Sequence, residues 1–107
     1  MDFHKYLLLL ILLGPAGLLA HEADETPAET VALFHQALAS GDKERVVELM
    51  DPEVVIFESG GAELSRDEYA SHHLGADMAF SAATTRTTIE QRASETGEFG
   101  WVLTRCD

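Results

Sequence analysis

The stretch from Ser65 to Phe80, SRDEYASHHLGADMAF, constrains the fold of this chain more than any other. Its opening Ser-x-x-Glu is the pattern of a capping box, in which Ser65 caps a helix and Glu68 returns a hydrogen bond. At about 100° per residue, one face of the predicted helix is apolar except for a histidine and an aspartate near its middle. That face carries Tyr69, His73, Ala76, Asp77 and Phe80, with Ala70 and Leu74 beside them.

His73 and Asp77 are four positions apart, so their side chains can touch on a helix. In the functional interpretation, Asp77 orients His73 as a general base, while Tyr69, one turn earlier, polarises a carbonyl group. In the structural interpretation, which we prefer, the pair is a buried network that ties the helix to a sheet. The pattern predicts that both side chains are mostly buried and close together. It leaves open whether the protein is an enzyme.

Four further side chains are predicted to line a pocket: Phe57, His72, Phe80 and Trp101. His72 and His73 point about 100° apart on a helix, so they are poorly placed to share one ion. The chain has no His-Glu-x-x-His spacing, no phosphate-binding glycine loop and no Gly-x-Ser-x-Gly elbow, so we predict neither a metal site nor a cofactor.

Two glutamates, Glu58 and Glu63, flank the predicted turn at Gly60-Gly61. A carboxylate there could face the mouth of a pocket. Because acidic side chains beside a glycine turn are usually solvated, we predict that both are solvated loop acids.

Composition limits the partners of the chain. Its 107 residues are 46% hydrophobic and 24% charged, as expected for one globular domain. Asp and Glu number 19 against 7 Lys and Arg, a net charge of −12 that disfavours nucleic acid and anionic lipid. A single cysteine, Cys106, excludes a disulfide within the chain.

The first twenty residues read as a secretory signal peptide. Tyr6–Leu13 is an apolar run, Gly14-Pro15 interrupts it, and Ala20 is a small residue suited to cleavage. The run is shorter than the about 20 residues that span a bilayer, so no stable membrane anchor is expected after cleavage. The prediction is a secreted or periplasmic protein, with residues 21–26 as a flexible leader.

Helices should begin the domain. Thr26, Pro27 and Glu29 form a helix start with a capping box, and Gly41 ends that helix. Asp42 caps a second, shorter helix that Pro52 closes.

Strands follow these helices. Val54–Phe57 is a β-branched and aromatic run typical of a strand, and Ala62–Leu64 is its short return. After the Ser65 helix, Thr84–Ala93 alternates as a half-buried strand, and Phe99–Arg105 forms the last strand. The predicted class is therefore α+β, in one domain over residues 27–107.

This order of elements resembles the nuclear transport factor 2-like superfamily, whose members are cone-shaped, cystatin-like α+β domains, and above all its SnoaL-like and uncharacterised bacterial branches. The resemblance rests on ETVALFHQALASGDKERVVELMDPEVVIFESGG, on SRDEYASHHLGADMAF, and on the two strands after it. It implies N-terminal helices packed on a curved antiparallel sheet around a pocket. The family ordinarily adds two further strands, so the resemblance implies either a C-terminally truncated member or one whose sheet another chain completes.

Members of the family include isomerases, dehydratases, polyketide cyclases and epoxide hydrolases, and also non-catalytic domains that bind ligands or dimerise. In the enzymes, acids and bases inside the cone do the chemistry. Tyr69, His73 and Asp77 are the residues here onto which that role could be carried.

The favoured expectation is an exported domain that binds a small apolar ligand or self-associates through the edge of its final strand. The alternatives are a cofactor-free isomerase, dehydratase or cyclase that uses His73 and Asp77, and an unstable truncated remnant. An unpaired strand edge is a template for another chain, so a homodimer is the partner that this sequence predicts.

Overall fold

The computed structural model describes residues 25–107. The predicted signal peptide, and all but the end of the predicted leader, lie outside the described residues. Helices and antiparallel strands make up the described chain, in agreement with the predicted α+β class. In order, the elements are α1 (Pro27–Ser40), α2 (Lys43–Glu48), β1 (Ile56–Glu58), β2 (Gly61–Glu63), α3 (Arg66–His72), α4 (Leu74–Ala83), β3 (Thr88–Thr96) and β4 (Phe99–Cys106).

The first helix begins and ends, and the second begins, where their caps predict, but α2 ends at Glu48, before the predicted stop at Pro52. Glu29 N–H donates to Thr26 Oγ1 at 3.2 Å, and Thr26 N–H donates to Glu29 Oε2 at 2.8 Å, so the capping box is complete. Gly41 closes α1 with a φ of 71°, a left-handed conformation that glycine adopts without the steric cost of a Cβ. The Asp42 carboxylate then accepts from Arg45 N–H at 3.1 Å and starts α2.

A small core joins these helices to α3 and α4. Val46 and Leu74 are completely shielded from solvent, and Tyr69 is 2% exposed. Burying an aliphatic side chain contributes roughly 1.5–3 kcal/mol, so these contacts hold α1 and α2 against the second helix pair. The whole buried cluster comprises Ala37, Leu38, Val46, Met50, Tyr69 and Leu74.

The predicted helix from Ser65 to Phe80 forms as two helices that meet at His73. Ser65 caps α3 through Glu68 N–H at 3.1 Å, as predicted, but the Glu68 carboxylate accepts from Leu64 N–H at 2.7 Å. His73 has φ −116°, outside the helical range, although Asp77 N–H still donates to the His73 carbonyl at 3.0 Å. The junction therefore changes where side chains point without turning the chain around.

A short hairpin, β1–β2, crosses the end of the helices. Its register pairs Ile56 with Glu63 and Glu58 with Gly61. Directly opposed residues share a sheet face, and side chains alternate along a strand. Ile56, Glu58 and Glu63 therefore lie on one face of the hairpin, and Phe57 lies on the other.

A second hairpin, β3–β4, forms its own two-stranded antiparallel sheet, with an irregularity between Thr88 and Glu90. The predicted strand Thr84–Ala93 was placed too early, because residues 84–87 connect α4 to β3. The start of α1 packs on this hairpin. A Cβ at Gly100 would collide with the Pro27 side chain, so glycine is what permits the close approach.

Among the described residues, no helix has both the length and the apolar character needed to cross a membrane.

Candidate functional site

A cavity of about 520 Å³ opens between α1, α3, α4 and β1. Its volume falls within the range of known ligand pockets, and its wall is mainly apolar, as such pockets usually are. The apolar lining residues are Val31, Phe34, Leu38, Leu49, Met50, Val54, Ile56 and Phe80. The polar lining residues are Thr30, His35, Asp51, Glu58, Tyr69, Asp77, Ser81 and Arg86.

Three of the polar residues form one group, which we call the acid cluster: Glu58, Tyr69 and Asp77. The Tyr69 hydroxyl donates a hydrogen bond to Asp77 Oδ2 at 2.6 Å. Tyr69 comes from α3, Asp77 from α4 and Glu58 from β1, so the cluster joins both helices to the first hairpin. It forms a compact polar patch in an otherwise apolar wall.

Two members of the acid cluster, Glu58 and Tyr69, favour their protonated forms. Burial raises the pKa of Glu58 above its ordinary value, and a hydrogen bond with Asp77 and the charge of that carboxylate raise it further. Burial, followed by the bond to Asp77, also raises the pKa of Tyr69, so its hydroxyl remains a donor throughout the neutral range.

The predicted His73–Asp77 pair is not formed. His73 Nδ1 instead makes a short contact with Glu63 Oε1, and Asp77 takes Tyr69 as its partner. The physical reason is competition between partners: His73 stands at the junction of α3 and α4, where the Glu63 carboxylate of the facing hairpin takes its imidazole, while the Tyr69 hydroxyl takes Asp77. The prediction of two mostly buried side chains was also too strong, because the His73 side chain is 45% exposed.

Glu63 forms a second group with His73 and His72, which we call the histidine clamp. Its side chain is only 9% exposed, and its second oxygen, Oε2, lies 3.3 Å from His72 Nδ1. A buried carboxylate needs polar or cationic partners to offset its lost hydration. The two imidazoles supply them, and so hold the β1–β2 hairpin on the α3–α4 junction.

The four residues predicted to line a pocket have different positions. Phe80 lines the cavity, although much of its ring is exposed. Trp101 lines a separate hollow of about 370 Å³ between the start of α1 and β4. Phe57 points away from Ile56 and is 83% exposed, while His72 turns towards Glu63.

Glu58 and Glu63 are site residues that the sequence did not reveal, and the prediction that both are solvated loop acids is wrong. Glu63 is buried, and Glu58 lines the cavity. The signal that could have found them is the alternation of side chains along a strand. Glu58 stands two positions after the inward-facing Ile56, so it lies on the same face. A tight turn at Ser59-Gly60 then brings Glu63 opposite Ile56, on the same face.

Within residues 25–107, no cluster of three or more histidine, cysteine or acidic side chains has a geometry that could hold a metal ion. The two carboxylate oxygens of Glu63 each contact the Nδ1 atom of one histidine, His72 or His73, so the atoms that a shared ion would need are engaged in contacts within the protein.

The fold and the cavity together define an α+β domain built around an apolar, acid-containing pocket. A crystal structure of a putative ketosteroid isomerase from Shewanella frigidimarina NCIMB 400 has the same architecture, with a TM-score of 0.73 and 34% sequence identity. The similarity covers 78% of this chain and 68% of that one. The chain therefore belongs to the nuclear transport factor 2-like superfamily. No family model matches the sequence, and no curated protein matches it.

Proposed function

We propose that the domain binds a small, largely apolar molecule that carries a carbonyl or hydroxyl group. The observation that carries the proposal is the acid cluster in the apolar wall of the cavity. Apolar side chains supply affinity for a ligand of this kind, and a few convergent polar groups fix its orientation. Protonated Glu58 is a hydrogen-bond donor suited to a carbonyl oxygen, and the Tyr69 O–H becomes a second donor when it exchanges its bond to Asp77 for one to the ligand.

Proton transfer is the second activity that this geometry favours. An ionised Glu58 carboxylate would take a proton from the carbon beside a ligand carbonyl, and the C–H electron pair would pass to the oxygen as an enolate. Tyr69 O–H would stabilise that oxygen, and Glu58 would return the proton to a more distant carbon, which shifts a double bond. The raised pKa of Glu58 brings it closer to working pH, where proton exchange is most efficient.

The structural relative is a putative ketosteroid isomerase, and an isomerase of that kind agrees with this class of reaction. We therefore choose steroid ketones as probes. Calorimetry should detect saturable binding of 4-androstene-3,17-dione, and ultraviolet absorbance should detect conversion of 5-androstene-3,17-dione to the conjugated 4-ene isomer. Binding without conversion would support a ligand-binding domain alone. If the protein binds none of the probes, neither 4-androstene-3,17-dione nor 2-naphthol nor cyclohexenone, the proposal is contradicted.

The decisive variant is Glu58→Gln, which keeps the size and hydrogen-bonding capacity of the side chain but cannot exchange a proton. Conversion should fall by roughly 100-fold or more, the usual contribution of a general base, while binding changes little. Glu53→Gln is the matched control, because Glu53 is an exposed acid shortly before β1.

We also propose self-association through β4. Among the described strands, β4 pairs only with β3, so its other edge presents unpaired backbone groups. One face of the strand exposes Phe99, Trp101 and Leu103 at 83%, 54% and 60%. The net charge of −12 opposes association, and salt screens it with a Debye length of about 8 Å at physiological strength.

Light scattering across a salt series tests this proposal. Association should increase with salt, and Leu103→Lys should weaken it. Phe57→Lys is the control, because it introduces the same charge at an exposed aromatic residue on another strand. A monomer at every salt and protein concentration would contradict the proposal.

Export remains a proposal that rests on the sequence alone. We infer that the mature chain begins near His21 and is secreted or periplasmic. Intact mass measured on exported protein tests this, and retention of Met1 in a membrane fraction would overturn it.

A further inference from the structure

The cavity has a second polar end, formed by Arg86 and His35. Both residues line the cavity, and both also line an adjoining hollow of about 790 Å³, together with Phe80 and Ser81. They therefore stand where the cavity meets this hollow. Arg86 belongs to the segment that connects α4 to β3, and His35 lies on α1.

Arg86 and His35 line both hollows, whereas no member of the acid cluster lines the second, so the acid cluster lies on the side of the cavity away from that hollow. The charge of Arg86 reaches His35, whose pKa is lowered first by burial and then by that charge. A ligand that fills the cavity would meet hydrogen-bond donors at one end and a cation at the other.

The guanidinium of Arg86 also has no ion-pair partner among the described residues, whereas Arg45, Arg92 and Arg105 each have an acidic partner. Arginine has five donors in a planar fork that matches carboxylate, sulfate and phosphate groups. His35 is half-buried and its lowered pKa keeps it neutral near pH 7, so it can add a hydrogen bond without a second charge.

We propose that the natural ligand is amphipathic, with its carbonyl or hydroxyl end at the acid cluster and an anionic group, such as a carboxylate or sulfate, at Arg86 and His35. This inference rests on the proposed function, because it assumes that the apolar cavity is the ligand site. It adds the substrate class, namely an apolar molecule with polar groups at both ends and a negative charge at one.

A matched pair of probes tests the charge directly. Dehydroepiandrosterone and its 3-sulfate share a ring system and a 17-ketone, and differ only in the anionic group at the far end. Calorimetry on the wild-type protein should show that the sulfate binds about tenfold more tightly, as expected for a charge-assisted arginine contact. Arg86→Gln should remove that advantage, so that the two steroids bind the variant with equal affinity.

Arg92→Gln is the matched control, because it removes the same charge from the exposed face of β3. It should retain the preference for the sulfate. Arg86→Lys should retain part of it, since lysine keeps the charge but loses the planar fork.

The outcomes separate the two proposals. Equal affinity of the two steroids for the wild type would overturn the anionic-end inference and leave the proposed function standing. An equal loss of affinity for both steroids in Arg86→Gln would likewise overturn the anionic-end inference and leave the proposed function standing. If neither steroid binds the wild type, the proposed function fails for this ligand class, and the inference fails with it.

Discussion

The β1–β2 hairpin supplies one glutamate to each of two clusters with opposite electrostatics. Glu58 lies beside another carboxylate, Asp77, in the wall of the cavity. Glu63 lies beside two imidazoles at the junction of α3 and α4. Like charges at close range raise a pKa and leave a proton to exchange, whereas a carboxylate between imidazoles already has its partners. On the proposed function, the acid cluster is therefore the group expected to take part in chemistry, and the histidine clamp is expected to stabilise the fold.

Between the two clusters, the larger effect should come from Asp77→Asn in the acid cluster. The substitution removes the charge that raises the pKa of Glu58 and alters the acceptor of the Tyr69 hydroxyl. Because Glu58 becomes a weaker base, the proposed isomerisation should fall by about tenfold, with a loss of stability of about 1 kcal/mol for one altered hydrogen bond. Absorbance assays and urea unfolding measure the two quantities. An active variant that is strongly destabilised would reverse the assignment.

The histidine clamp should show the opposite response. Glu63→Gln keeps an acceptor but loses the charge that faces His72 and His73. Because both imidazoles are partly solvated, we expect a loss of about 1 kcal/mol in the free energy of unfolding rather than the larger cost of a fully buried pair. Isomerisation should stay within about threefold of wild type, since proton transfer does not pass through this cluster.

Glu95→Gln, at an exposed acid in β3, is the control for the clamp variant and should leave stability unchanged. If Glu63→Gln abolished turnover without altering unfolding, the clamp would have to be counted among the chemical groups.

A smaller effect is expected in the pH dependence of the free energy of unfolding, to which Glu58 should contribute. The pKa of Glu58 is raised in the folded state above its ordinary 4.5, so the folded protein holds that proton more tightly than the unfolded chain. The resulting stabilisation is present below about 4.5 and is lost as the pH rises through the folded-state pKa. Glu58→Gln should remove this downward slope.

Urea unfolding at a series of pH values measures the slope. Glu53→Gln serves again as the control and should keep the wild-type profile. If the Glu58→Gln profile keeps its full slope, Glu58 does not hold its proton in the folded state.

Local signals predicted the fold well. The capping box at Thr26, the left-handed Gly41 and the cap at Asp42 are properties of a few adjacent residues, and all three form as expected. The class and the superfamily followed from the order of such elements, and both are confirmed. The two ends of β3 were harder to place, because alternation begins in the connecting segment before any strand partner is available.

The candidate site was only half predictable. Tyr69 and Asp77 do meet, but His73 leaves the pair because the Glu63 carboxylate of the facing hairpin takes its imidazole. A helical wheel describes one helix alone, so it cannot anticipate a partner from another element. Glu58 and Glu63 were missed for a different reason, since their positions depend on the register of a hairpin with three-residue strands. Turn type fixes that register, and the glycines here allow several turns.

The contact between Pro27 and Gly100 bears on how the domain is made. The first turn of α1 leaves the ribosome long before β4, yet it rests against that strand in the finished fold. Contacts between distant parts of a chain form slowly, because a long loop must close first. During synthesis, one apolar side of α1 therefore remains exposed until β4 has been made. In that interval a chaperone or a neighbouring nascent chain has access to it.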